Sequence, residues 1–315
     1  MKRKVSLVLA GIDGSGKELG ASLGPRLLRM RGIEQHLAEY VKVARFAELG
    51  PSTLRTGGSS ESFPFSNAEL EQSIRWLGNT MHSAFVKSEI PVCLIGDHTF
   101  SGITVGEAMK FHGELTTIWV DAHSDAHIPD TSQSKNLHGM VVSALAQLPY
   151  KDHSNHLYEM LRRYSGSAPP AEFCFLGLRS VDRAEQDHLG RISRYTATME
   201  DVDRKRFAVT VEEMLAKMPR GRKIWVSFDI DSLDDSIGAA SGTPVPYGLS
   251  YRNLFLLAEM LFQSWASKDI EIVGVEIAEL NPTVADTREL TSFLLRWIQT
   301  MFGRSIRGER SIEMS

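Results

Sequence analysis

Three short runs carry residue types that could do chemistry: Gly96-Asp97-His98, Asp121-Ala122-His123-Ser124-Asp125 and Asp229-Ile230-Asp231. Each follows a stretch that reads as a buried strand. In extended backbone, residues two apart point to the same side. Asp121, His123 and Asp125 can therefore converge on one point, and so can Asp229 and Asp231. With His98 the set supplies four carboxylates and two imidazoles. Carboxylates gathered without counter-charge repel one another and take up protons. Cations placed between them keep them ionised, so the set reads as a two-metal site. A lone Asp after a strand is commonly a turn or cap residue, and a lone buried His is commonly just hydrogen-bonded. Six candidates at three strand ends, spaced by two, argue against both readings.

The ligand types speak to the metal. Oxygen-rich ligation with one imidazole per ion suits Mn²⁺ better than Zn²⁺. Two divalent cations balance four carboxylates and leave room for one bridging hydroxide, because such a pair lowers the pKa of bound water and positions it for attack.

The elements that must position these residues follow from apolar periodicity. Strand-like runs occur at Val5–Ala10, Val92–Ile95, Thr117–Val120, Phe173–Leu176, Ile224–Phe228 and Ile270–Val275. Helical patterns lie between them. Ser66 with Glu69 makes a capping box ahead of Leu70, Ile74, Leu77, Met81 and Phe85, and Thr210 with Glu213 repeats it. Ser250 precedes Tyr251–Phe262, and Asp286 with Glu289 opens Leu290–Phe302, which Gly303 can close. Alternating strands and helices predict an α/β fold: a single three-layer α/β/α domain over 1–315 with a mostly parallel central sheet. Arg304–Ser315 reads as a polar C-terminal tail, and Pro51–Asn67 as a surface loop. All three runs fall just past the carboxyl ends of predicted strands, the edge where ligands bind in open α/β sheets.

Composition excludes several classes. The 315 residues are 42% hydrophobic with a net charge of -4, which argues against nucleic-acid or anionic-membrane partners. No apolar run approaches transmembrane length. The start, Met1-Lys2-Arg3-Lys4 before Val5–Ala10, reads as a first strand rather than a leader peptide. Cys93 and Cys174 sit in apolar runs and read as reduced core residues of a cytoplasmic protein. Gly11-Ile12-Asp13-Gly14-Ser15-Gly16-Lys17-Glu18 matches a phosphate-binding loop except at its last position. There Glu18 replaces the hydroxyl residue and puts negative charge where phosphates would lie. It reads as a glycine-rich loop.

Longer stretches carry a family resemblance. Ile118–Asp125, Asn136-Leu137-His138-Gly139, Ser227–Asp234 and Ser241-Gly242-Thr243-Pro244 strongly resemble the ureohydrolases, the arginases above all. Gly20–Arg29 and Glu276–Pro282 extend the likeness to most of the chain. The resemblance implies two Mn²⁺ ions per subunit and hydrolysis of a guanidinium to urea and an amine. His98, Asp121, Asp125 and Asp229 would hold one ion, and His123, Asp121, Asp229 and Asp231 the other. It implies that Asp125 steers the proton of the bridging hydroxide toward the leaving amine, that His138 shuttles protons, and that Glu279 pairs with the substrate guanidinium beside Thr243. Ser134, Asn136, Asp182 and Glu185 match positions that grip the amino-acid end, which favours L-arginine over agmatine, since agmatine has no carboxylate to bind; guanidinobutyrate, another guanidino acid or a formiminoglutamate-type substrate stays open as an alternative. A homo-oligomer, trimer or hexamer, is also implied. Departures include His127 where arginases carry Asn, Thr99 after the His98 turn, and Asp235 and Gly238-Ala239-Ala240, which are expected to loosen a loop near the metals. These departures leave open a non-catalytic, metal-binding relative.

Overall fold

The computed structural model describes residues 2–13, 18–50, 67–166 and 169–305. All of the Pro51–Asn67 loop but Asn67, which opens a helix, the Ser66 cap, Gly14–Lys17 of the glycine-rich run and most of the Arg304–Ser315 tail lie outside the described residues. Eight strands form one sheet: β1 (Lys4–Ala10), β2 (Lys42–Leu49), β3 (Ile90–Ile95), β4 (Thr116–Val120), β5 (Glu172–Leu178), β6 (Ser193–Thr198), β7 (Arg222–Asp229) and β8 (Ile270–Ala278). Their order is β2-β1-β3-β8-β7-β4-β5-β6, and every pairing is parallel.

Side chains alternate between two apolar layers, as the pleat dictates. Val5, Leu7 and Leu9, Ile118 and Val120, and Ile224, Val226 and Phe228 enter one layer. Val8 and Ala10, Trp119, and Trp225 enter the other. The first layer is closed by Leu254, Leu257 and Leu261 of the helix Tyr251–Ala266 and by Leu290, Leu294 and Ile298 of the helix Arg288–Met301. The second is closed by Ile74, Leu77, Met81 and Phe85 of the helix Asn67–Val86 and by Ile103 and Met109 of the helix Ser101–His112. Burial on both faces is why the central strands read as unbroken apolar runs.

Helix starts follow the sequence in part. Ser250 caps its helix through a reciprocal pair with Asn253, whose N–H donates to Ser250 Oγ at 3.2 Å. Asp286 Oδ1 accepts the Arg288 N–H at 3.0 Å, so that helix opens at Arg288 rather than Leu290, and Gly303 follows its end at φ 111°. The capping box expected at Thr210 is corrected. Thr210 lies inside the helix Phe207–Ala216, where its hydroxyl donates back to Arg206 O at 3.3 Å. Its buried face made it a helix-interior residue despite its capping preference. Among the described residues no helix is long and apolar enough to cross a membrane.

Five adjacent strands in the middle of the sheet deliver most of the candidate site residues. Their carboxyl ends lead into His98 (β3), Glu279 (β8), Asp229 and Asp231 (β7), Asp121 to Asp125 (β4), and Ser180 and Asp182 (β5).

Candidate metal centre

His98 opens the turn after β3, where Asp97 Oδ1 accepts the Thr99 N–H at 2.9 Å. Its Nδ1 lies 2.9 Å from Asp229 Oδ2, 3.2 Å from Asp121 Oδ2 and 3.5 Å from Asp125 Oδ2. Its Nε2 lies 2.8 Å from Ser227 Oγ, and the ring stacks on Trp119. His98 Nδ1 and Asp121 Oδ2 are buried, yet neither makes a hydrogen bond. Nδ1 thus faces three carboxylates. Burial lowers His98, but Asp121 and Asp229 outweigh it and raise the imidazole well above its ordinary value, and a cation in the place of that proton would satisfy the same acids.

A second group adjoins the first through Asp121. His123 Nδ1 lies 3.0 Å from Asp231 Oδ2 and 3.6 Å from Asp121 Oδ1. Main-chain donors aim these acids: His123 N–H to Asp121 Oδ1 at 2.7 Å, Asp231 N–H to Asp229 Oδ1 at 2.8 Å, and Ala122 N–H to Asp231 Oδ1 at 3.2 Å. The ligating atoms of His98, Asp121 and Asp125 lie within 4.8 Å of one another, as do those of Asp121, His123 and Asp231. The side chain of His98 is 1% exposed and that of His123 28%, so the group opens to solvent from the His123 side. Asp125 holds φ 49° and Glu279 φ 63°, conformations that non-glycine residues seldom adopt.

The electrostatics of the group favour positive charge beside its carboxylates. Burial, then repulsion from neighbouring carboxylates, raises Asp125 and Asp229 well above the usual range and raises Asp231 as well. Burial disfavours charged imidazoles, yet Asp231 and Asp121 carry His123 up to about 12. Asp121 alone is held below its usual value, because contacts with His123 and His98 outweigh its burial. Carboxylates packed this closely favour either protons or cations between them.

A cavity of about 160 Å³ opens over the second group. Asp121, His123, Asp125, His127, His138, Asp182, Glu185, Asp229, Asp231 and Thr243 line it. Thr243 Oγ1 donates to Asp231 Oδ2 at 2.9 Å. His138 Nδ1 lies 3.7 Å from Glu279 Oε1, which also accepts the His98 N–H at 2.9 Å. Burial lowers His138, but the Glu279 carboxylate outweighs it and lifts the imidazole to about 9. Burial and Asp97 raise Glu279 despite His138.

At the far end, His127 Nε2 lies 3.1 Å from Asp182 Oδ2 and 3.4 Å from Glu185 Oε2. Glu185 also caps the helix Arg183–Ile192 and accepts from Ser124 Oγ at 2.5 Å and Ala126 N–H at 3.1 Å. Ser134 and Asn136 sit outside the cavity lining, and the Asn136 N–H donates to Ser134 Oγ at 3.2 Å.

The loop expected to be loosened by Asp235 and Gly238-Ala239-Ala240 is instead tied down. Asp234 accepts from Ser236 N–H at 3.2 Å and Gly248 N–H at 3.0 Å, and Leu233 bridges to Leu249. Sequence reading missed Ser227, Trp119 and Arg179. Ser227 and Trp119 each stand two residues before a candidate ligand on the same strand face, a signal the spacing did contain. Arg179 left none, because its acceptors are main-chain carbonyls.

The chain matches the model of the Arginase family over residues 3–302. It is 30% identical over 321 residues to a hepatic arginase of Aquarana catesbeiana, covering 98% of this chain and 95% of that one. The arginase structure from Bacillus caldovelox superposes with a TM-score of 0.80 at 27% identity, covering 97% of this chain and 100% of that one. The formimidoylglutamase of Bacillus subtilis shares the fold, with a TM-score of 0.70 at 20% identity, covering 95% of this chain and 86% of that one.

Proposed function

Because this chain belongs to the arginase family, we propose that it hydrolyses L-arginine to L-ornithine and urea at a pair of Mn²⁺ ions. His98, Asp121, Asp125 and Asp229 would hold one ion, and His123, Asp121, Asp229 and Asp231 the other. The observation that carries this reading is two ligating groups that share Asp121 beneath one cavity. The buried Nδ1 of His98, which makes no hydrogen bond, and the raised acids around it fit bound cations. When bound, the ions offset the carboxylates and bring the pKa of an intervening water toward neutrality.

The remaining work falls to side chains. A guanidinium is planar, cationic and resonance-stabilised, so it resists attack, and its amine departs well only when protonated. Asp125 moves the proton of the attacking water toward the departing nitrogen. His138 lines the same cavity against Glu279 and carries a proton to and from bulk solvent. Glu279 offers a carboxylate to the planar cation, the favoured bidentate pairing, and Thr243 flanks it. Asp182, His127 and Glu185 line the cavity where they would take the amino-acid end, and Ser134 and Asn136 would join them there.

Incubation of Mn²⁺-loaded protein with L-arginine, agmatine, guanidinobutyrate and formiminoglutamate tests the reading. Urea and ornithine from L-arginine, with the highest kcat/KM of the panel, are expected. A second reading keeps the chemistry and changes the guanidino compound. It is favoured by His127, whose Nε2 already faces two acids where a substrate carboxylate would seek a donor.

A further inference from the structure

Arg179 leaves β5 between the two loops that carry the candidate ligands. Its main-chain N–H donates to Ala122 O at 2.9 Å, which ties it to the Asp121–Asp125 segment. Its guanidinium reaches the other loop. Nη2 donates to Val245 O at 2.6 Å, Asp231 O at 2.7 Å and Leu233 O at 2.9 Å. Nη1 reaches Gly177 O and Ser232 O, both at 3.3 Å, and Nε reaches Pro246 O at 2.9 Å. Among the described residues these acceptors are all main-chain carbonyls. A guanidinium has five N–H donors in a rigid fork, and here they are spent on holding backbone.

The surroundings are shaped for it. A Cβ on Gly248 would stand 2.5 Å from Nη2 and 2.6 Å from both Asp234 N and Leu233 C, so a side chain there would collide with the guanidinium and with the loop it holds. The segments it joins bear directly on the cavity. Asp231 meets His123, and Thr243 donates to Asp231 from the strap that Val245 and Pro246 continue.

We propose that Arg179 is a positioning residue: its guanidinium fixes the backbone of Asp231–Leu233 and Val245–Pro246, and so sets Asp231 and Thr243 against His123 for the more exposed of the two cations. The role in cation binding rests on the two-ion reading above, while the clamp itself does not.

Two measurements separate these. Hydrogen exchange on the ion-free protein compares wild type with Arg179→Lys, which keeps the charge but cannot span three backbone segments. Exchange at the amides of 231–234 and 248–249 is expected to speed at least tenfold, with the amides of β1 and β3 unchanged. Unchanged exchange overturns the proposal whatever the metal content. Equilibrium dialysis against Mn²⁺, with EPR of the bound ions, then reads the consequence. Wild type is expected to hold two ions; Arg179→Lys should keep one at wild-type affinity and bind the other at least tenfold more weakly, losing the coupled-pair signal. Two ions at unchanged affinity in the variant overturn the positioning role. A wild type that holds fewer than two ions overturns the two-ion reading and the cation role with it, and leaves exchange to decide the clamp. Should Arg179→Lys fail to fold, Arg179→Gln, which keeps the aliphatic stem and one amide but cannot span the three segments, is read by the same two measurements, with the same outcomes deciding.

Discussion

His98 lies flat on Trp119, with ring centroids 4.1 Å apart and planes 7° from parallel. The indole fixes the ring plane while Ser227 Oγ anchors Nε2 at 2.8 Å, so His98 is oriented before any ion arrives. Trp119→Ala removes a fully buried ring, and is expected to destabilise the fold by about 3–5 kcal/mol. Trp119→Phe should retain the fold and weaken Mn²⁺ binding. Denaturant unfolding and Mn²⁺ dialysis check the pair; full metal affinity in Trp119→Phe would contradict the role.

Asp125→Asn keeps the side-chain shape and removes the proton carrier. We expect an intact fold and a loss in kcat of about a hundredfold or more, the usual scale for a general base. Steady-state urea production alongside circular dichroism reads both. Wild-type turnover would show that Asp125 carries no proton.

His127→Asn releases Asp182 and Glu185 from the ring that faces them. The effect should fall on KM for L-arginine, by about fivefold, the size of one hydrogen bond, with kcat nearly unchanged. A collapse in kcat at constant KM would misplace His127.

His138 is raised from 6.5 to about 9 in the ion-free protein. A histidine raised on folding adds stability that is complete below its unfolded value and lost as pH rises through the folded one. The gap in unfolding free energy between wild type and His138→Asn, measured in chelator, should therefore be present near pH 6 and gone by about pH 10. A gap independent of pH would exclude the Glu279 pairing as its source.

Chelation should also cost more stability in alkali than in acid. Asp125, Asp229 and Asp231 are raised on folding, so the ion-free fold binds their protons better than the unfolded chain does. It is therefore penalised as pH climbs through those raised values. The drop in Tm caused by chelator should be larger near pH 8 than near pH 5.5. Equal drops would mean the acids do not need the ions.

Much of this was legible because the central strands are buried on both faces. Val5–Ala10 and Ile224–Phe228 could be read as strands from unbroken apolar runs, and the spacing of Asp121, His123 and Asp125 placed them at a strand end. Strands β2 and β6 escaped, because they close the two edges of the sheet. Lys42–Leu49 has no fully buried residue, and Ala197 alone is fully buried in Ser193–Thr198. Half-wet strands mix polar and apolar residues and lose the signal. The partners of His127 and the carbonyls gathered by Arg179 depend on how distant loops meet, which no local pattern encodes.

The strand order carries a consequence for synthesis. β3 and β4 are separated in the sheet by β7 and β8, the last two strands to be made. A nascent chain halted before Arg222 would own two disconnected half-sheets, β2-β1-β3 and β4-β5-β6, each with a raw inner border of unpaired amides and carbonyls. Such borders invite intermolecular pairing. The closing third of the polypeptide therefore works as a keystone: until it slots between the halves, the ribosome's product is both catalytically empty and prone to aggregate.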